Sequence, residues 1–332
     1  MKKLGKILLV PPLALVWLWT LGAAYYMAGG GRSALGQAVM VGFVVATVFV
    51  LWRQRKHALW FLLGAWLIGL VWLFTLSPSN NRDWRPEVGR TASAEFDGDR
   101  VTVRNIRNFK YRTADDFDVR YTEKTYDLTA LDSMDLLMCY WDGNTRIAHT
   151  MLSFGFGGKD YICLSSQIRR EKGEEWGAVR GIYNQFESNY ILAEELDLIN
   201  LRTGYRNEDL YLFPMTLPKV DIRRYFEHVL RRINTLNEKP DFYNTLEYNC
   251  TSSLTRMGKE LWPDRPRDTF LTHVTGLASL LNGGTDEHAY ARGQISNHLP
   301  FAELKAKSYI TPIGQEHRDA PDFSQKIRSA LP

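Results

Sequence analysis

IAHTMLSFGFGGKDYICLSSQIR, residues 147–169, is the stretch from which the fold of the polar part of the chain is read. Two runs rich in apolar and aromatic residues flank Gly157 and Gly158, and a glycine pair between such runs signals a hairpin, because glycine takes positive φ without steric cost. His149 stands inside the first run, where an apolar or β-branched residue would serve a strand as well, which makes it the best candidate for a general base. If the two runs pair, residues 16 to 18 further on return beside it: Ser165, Ser166 and Gln167. A slip of one residue would exchange the side chain that faces the ring. Gln167, ahead of Ser165, is the expected group that orients the imidazole.

Outward from this hairpin the pattern stays β-like on the N-terminal side, in RVTVRNI (100–106), TEKTYDL (122–128) and SMDLLMCYW (133–141). Residues 171–210 carry no clear period. From Pro218 the pattern becomes helical, with Ile222, Phe226, Val229, Leu230, Ile233 and Leu236 on one stripe. A second helix is expected from Thr251 to Leu261, a third over HVTGLASLLN (273–282), and a loop-rich tail ends in a short segment near SQKIRSAL. Strands followed by helices argue an α+β domain with an antiparallel sheet packed on helices.

The first 77 residues differ in kind. They contain no Asp or Glu and seven basic residues, so of the net charge of +4 the remainder carries −3. A slightly acidic domain without a basic stripe argues against nucleic acid as a partner. Three apolar stretches, 7–27, 35–52 and 58–76, are each near the roughly 20 residues that cross a bilayer. Lys2, Lys3 and Lys6 before the first and RQRKH after the second mark the cytoplasmic side, which leaves everything after Pro78 outside. Residues 78–90 read as a linker and 91–332 as the extracytoplasmic domain. A cleaved signal peptide ending near Gly22, Ala23 and Ala24 is the alternative for the first stretch, and it keeps the same placement.

Of the three cysteines, Cys139 and Cys163 lie in apolar β-like runs and read as small buried hydrophobes, with a disulfide between them left open. Cys250 stands where a strand or loop becomes a helix, and there free N–H groups and the positive helix end favour a thiolate nucleophile. The other reading is a buried structural cysteine. His57, His228, His273, His288, His298 and His317 lie at surfaces, loops or helix starts. No paired CxxC, HExxH, GxGxxG or P-loop occurs, so no metal or nucleotide cofactor is expected.

Several strings in order, VRNIRNFKYRT, YTEKTYDLTALDSMDLLMCYW, IAHTMLSFGF, SSQIRREKGE, RTGYRNEDLYLFP, INTLNEKPDFYNTLEYNCTSSL and PDFSQKIR, resemble the Lnb-type N-terminal periplasmic domain family over about residues 90–330. The resemblance implies a circularly permuted papain-like fold of the NlpC superfamily, with His149 of HTMLSF as base and Cys250 of YNCTSS as nucleophile. It also implies transfer of a fatty acyl chain from membrane phospholipid to the N-terminal amine of a lipoprotein, in a bacterial inner membrane with the domain in the periplasm. The resemblance implies an acidic or polar residue on the next strand, and this chain has Gln167 where the acid would be expected. The rival readings are a hydrolase using the same pair, acting on cell-wall peptide or lipid, and a binding module without activity.

Overall fold

The structure is a computed structural model that describes residues 10–30, 33–141, 143–264 and 282–331, and it divides into two units. The first unit follows from segments apolar on every face. Such segments form helices, because a helix satisfies its own backbone polar groups wherever water is absent. Helices α1 (Val10–Met27), α2 (Ala34–Arg53) and α3 (Ala58–Thr75) are long and apolar enough to cross a membrane, and Leu15, Leu18, Val41 and Phe74 point outward from the protein. Phe43 of α2 stacks between Trp17 of α1 and Phe61 of α3, and Trp17 Nε1 donates to Thr47 Oγ1 at 3.1 Å.

Residues Gly177–Gln185, with the short helix α4 (Ala178–Ile182), belong to this unit although they are distant in sequence. Tyr183 donates its hydroxyl to the Trp19 carbonyl at 2.9 Å and packs on Tyr26. A Cβ on Gly22 would lie within 2.8 Å of three atoms of the Tyr183 ring and hydroxyl, so Gly22 is where α1 admits that ring.

The second unit, Ser79–Trp176 with Phe186–Pro332, is built on a sheet. Its strands are β1 (Ser93–Asp97), β2 (Arg100–Arg107), β5 (Tyr121–Asp127), β6 (Leu131–Tyr140), β7 (Ala148–Phe156), β8 (Asp160–Arg169), β9 (Glu187–Ala193) and β10 (Asp209–Pro214); β3 (Lys110–Tyr111) and β4 (Phe117–Asp118) form a separate small hairpin. The order is β1-β2-β9-β8-β7-β6-β10, with β5 also on β2. The expected antiparallel sheet is in fact mixed, because β2 and β9 meet in parallel at Arg107 and Ala193. Parallel neighbours need a long connection, and the chain between β2 and β9 supplies one. The 147–169 hairpin forms as expected, turning at Gly157 (φ 60°) and Gly158 (φ 65°).

Alternation sorts the side chains of the central strands onto two faces. Ala148, Leu152 and Phe154 of β7 and Leu164 of β8 pack with α6 (Lys219–Glu238) and α7 (Cys250–Leu261) through Tyr225, Phe226, Leu254 and Met257. Met151 and Cys163 take the other face with Leu198 and Ile199 of α5 (Glu195–Asn200), which continues into a π-helical turn, Leu201–Tyr205. The tail, read as loop-rich, carries α8 (Thr285–Ala291), α9 (Phe301–Lys307), α10 (Thr311–Glu316) and α11 (Phe323–Lys326). The expected helix over 273–282 lies outside the described residues except for its last residue.

Two buried ion clusters tie the second face together. Asp197 accepts from Arg107 Nη2 (2.7 Å), Phe109 N (2.7 Å) and Tyr111 Oη (3.1 Å). Arg328 bridges Asp135 and Glu195, at 2.6 Å each, and so ties the C-terminal segment to β6 and α5.

Candidate functional site at the opening between two strands

The β7–β8 ladder ends at the pair Met151 and Ser165, yet both strands run on, β7 back to Ala148 and β8 forward to Arg169. Beyond that pair β8 keeps its bonds to β9 and β7 keeps its bonds to β6, so the sheet opens between them. The sequence candidates lie at this opening.

Cys250 is the first residue of α7. Asn249 before it accepts from the N–H groups of Thr251 (3.0 Å) and Ser252 (2.9 Å), while Ser252 Oγ accepts from Asn249 N (2.9 Å), a reciprocal capping box. The box holds the helix start in place and leaves the Cys250 N–H, one of the orphan donors of a helix end, without an acceptor among the described residues. The Cys250 thiol is half-buried, 3.8 Å from the Ala148 carbonyl and 3.9 Å from Thr251 Oγ1.

His149 follows Ala148, so nucleophile and base candidates meet at the same strand end. Its side chain, however, takes the face opposite α7: it pairs across the ladder with Cys139, and its Nε2 lies 2.8 Å from Ser165 Oγ. Thr150, on the α7 side, bonds Thr251 Oγ1 at 2.7 Å. Among the described residues no hydrogen bond links His149 with Cys250. Gln167 donates Nε2 to Ser165 Oγ at 3.0 Å and stands one step behind it. Of the two groups expected to orient the ring, Ser165 touches it.

Electrostatics hold the imidazole neutral. Burial first, and then the positive charges of Arg202 and Arg206, push its pKa well below the usual 6.5. Burial also drives the Cys139 thiol up to about 12 and the Cys163 thiol well above its ordinary value. Both are free and inert as nucleophiles. They cannot be bridged, since β6 and β8 lie either side of β7, two strand spacings or about 9.6 Å apart, beyond the reach of a disulfide.

Sequence reasoning missed Asn282. Buried, it accepts from Ala148 N (2.9 Å) and donates to the Ala148 carbonyl (2.7 Å), so its amide pairs with β7 as another strand would. It also donates to Thr251 Oγ1 (2.7 Å) and lies 3.6 Å from the Cys250 thiol. One side chain thus braces the strand of the base candidate against the helix of the nucleophile candidate. The Gly-Gly pair after it was the available signal, since a Cβ on Gly283 would fall 2.0 Å from the Thr145 carbonyl. Of the remaining histidines, His228 pairs with Glu260 at 3.1 Å on the surface, and His288 is exposed. His273 lies outside the described residues. Among the described residues no group of three or more His, Cys, Asp or Glu is arranged to hold a metal ion.

Compared with known proteins, the chain has no match among curated proteins and none among solved structures. The family model of the Lnb N-terminal periplasmic domain matches residues 117–273, which run from β4 past α7 and include both His149 and Cys250. Downstream of three helices long and apolar enough to cross a membrane, residues 117–273 of this chain therefore match the Lnb N-terminal periplasmic domain family.

Proposed function

We propose that the protein is a membrane-anchored thiol acyltransferase that moves a fatty acyl chain from a phospholipid to the N-terminal amine of a lipoprotein. One observation carries this reading: a half-buried thiol with a free backbone N–H heads a capped helix at the strand end that bears a neutral imidazole, inside a domain of a lipoprotein-processing family. The helix dipole and the orphan N–H groups favour negative charge there, first on the thiolate and then on the oxyanion.

The steps balance on these two side chains. His149 takes the Cys250 proton as sulfur attacks the ester carbonyl, and the tetrahedral oxyanion sits at the Cys250 N–H. Collapse expels the glycerol oxygen, which takes the proton from the imidazolium, leaving a thioester and a lysolipid. The incoming amine then attacks the thioester, His149 accepts its proton, and the thiol is restored as the amide forms. Pairing requires the ring to leave Ser165, at the place where β7 and β8 no longer bond to each other. Catalytic hydrogen bonds are commonly loose before substrate binds. Ser165, backed by Gln167, is the orienting group in this reading, and a permuted papain-like topology is the fold it implies.

Placement outside the cytoplasmic membrane follows from the basic residues beside the first and second spans, Lys2, Lys3, Lys6, Arg53, Arg55 and Lys56. The test is mass spectrometry of lipoprotein N-termini in a strain that lacks its own acyltransferase and expresses either the wild type or Cys250→Ala. N-acylation by the wild type alone is expected. N-acylation by neither protein removes the transferase and leaves water, in place of the amine, as the acceptor in a hydrolase.

A further inference from the structure

The stretch GAVRGIYNQ, residues 177–185, carries one charged side chain, and it belongs to the helical unit although it lies in the connection between β8 and β9. Tyr183 fixes its place along α1. The hydroxyl oxygen and two ring carbons of Tyr183 occupy the space where a Cβ on Gly22 would stand, and the ring packs on Trp19 and Tyr26 at centroid distances of 5.8 and 5.0 Å. Gly22 is five residues before Met27, where α1 ends, so the Tyr183 hydroxyl lies about 7.5 Å in from that end. The 18 residues of α1 measure about 27 Å, close to the ~30 Å of a hydrocarbon core, which leaves the helix little length outside it. Tyr25 and Tyr26 mark the boundary, since amphipathic rings favour the headgroup level. Tyr183 therefore enters the leaflet in which α1 ends.

Two further observations bear on what surrounds this segment. The Tyr183 hydroxyl donates to a backbone carbonyl, that of Trp19 at 2.9 Å, so the phenol needs no water, as a hydroxyl at membrane depth requires. Val179 of α4 is 57% exposed and Trp176, just before the segment, is 64% exposed. The other large apolar side chains exposed beyond the spans, among the described residues, are Val119, Ile147 and Val220, each alone in its stretch of chain. Elements that lie in the membrane interface bury their apolar side about 5–10 Å deep, which is the depth at which Tyr183 meets α1. Arg180 limits deeper entry, because a long stem lets its charge stay among the headgroups. We propose that residues 176–185 form an interfacial lipid-binding segment, in which Trp176 and Val179 enter the acyl region of that leaflet and lipid chains, not a protein partner, cover them. The polar domain is then joined to the bilayer through the β8–β9 connection as well as through the chain that leaves α3. This inference stands apart from the acyltransferase reading, since it requires no turnover.

The experiment reads depth directly. Full-length Cys250→Ala protein, whose other two cysteines are buried, receives one new cysteine by Val179→Cys or Trp176→Cys, with Leu67→Cys on α3 and Asp97→Cys on β1 as the references for lipid and for water. Each variant is labelled with a nitroxide, placed in phosphatidylcholine vesicles and followed by power-saturation electron paramagnetic resonance. Oxygen, which concentrates in lipid, and a nickel chelate, which stays in water, are the two relaxing agents. At 176 and 179 the response of the Leu67 reference is expected, relaxation by oxygen with loss of relaxation by nickel. Nickel access at either position equal to that at Asp97 would overturn the proposal and put the segment in water. Protection from both agents would overturn it in favour of a protein cover, such as a second copy of this chain. Because every arm lacks the Cys250 thiol, no outcome depends on the chemistry of that residue.

Discussion

At the scale of single residues, environment separates the three thiols. Cys139 and Cys163 are buried in the sheet with raised pKa values, and Cys250 is half-exposed at a helix start. Maleimide should therefore label Cys250 alone in the folded protein and all three after denaturation, as intact mass would report. Burial of His149 and the charges of Arg202 and Arg206 near it set a pH dependence with a definite sign. A base whose pKa lies below 6.5 stays neutral there, so kcat/KM should remain level through pH 6.5 and fall only at more acidic values. Replacing Arg206 by Gln removes a positive charge that opposes protonation and should move that acid limb to higher pH. By linkage, the unfolded chain takes up the proton near 6.5 while the folded one does not, so this residue costs stability as pH falls below that value. His149 and Cys250 could be singled out in the sequence because each breaks a local expectation, a histidine in a strand and a cysteine in a capping motif. Asn282 was not singled out, because its bracing role depends on a pairing with Ala148 134 positions away and only the glycine pair after it marks the place in the sequence.

At the scale of elements, the amphipathic helix over 219–238 was legible because it buries one face, which imposes a period of 3.6, and the 147–169 hairpin because two apolar runs flank a glycine pair. Strands β9 and β10 were not. β9 is buried along almost its whole length and lacks alternation, and β10 pairs only with partners distant in sequence, β6 on one edge and the chain at Ser308–Ile310 on the other. The same limit applies to Arg328, whose role depends on two carboxylates far away in sequence, Asp135 and Glu195. Replacing Arg328 by Ala leaves those buried carboxylates without their cation and should cost about 3–5 kcal/mol, measurable by chemical denaturation. Removing the helix cap with Asn249→Ala should cost about 1 kcal/mol of stability and a larger share of activity, since Cys250 then loses its fixed start. A stability loss with kcat unchanged would detach the cap from the chemistry.

At the scale of the whole molecule, an acid-free apolar N-terminal segment and a slightly acidic remainder pointed to a membrane anchor carrying a polar domain, and that segment holds three helices long and apolar enough to cross a membrane. The inclusion of Gly177–Gln185 with the helices was not legible, because Tyr183 meets Trp19 and Gly22 only in three dimensions. The central claim is that Cys250 carries the acyl chain. Its most direct measurement is the intact mass of the purified full-length protein after incubation with phospholipid in the absence of any amine acceptor. One fatty acyl mass added at Cys250 is expected, released by hydroxylamine, absent from Cys250→Ala and slow to appear in His149→Ala. A wild-type protein that forms no adduct, yet acylates a lipoprotein when one is supplied, would contradict the thioester mechanism.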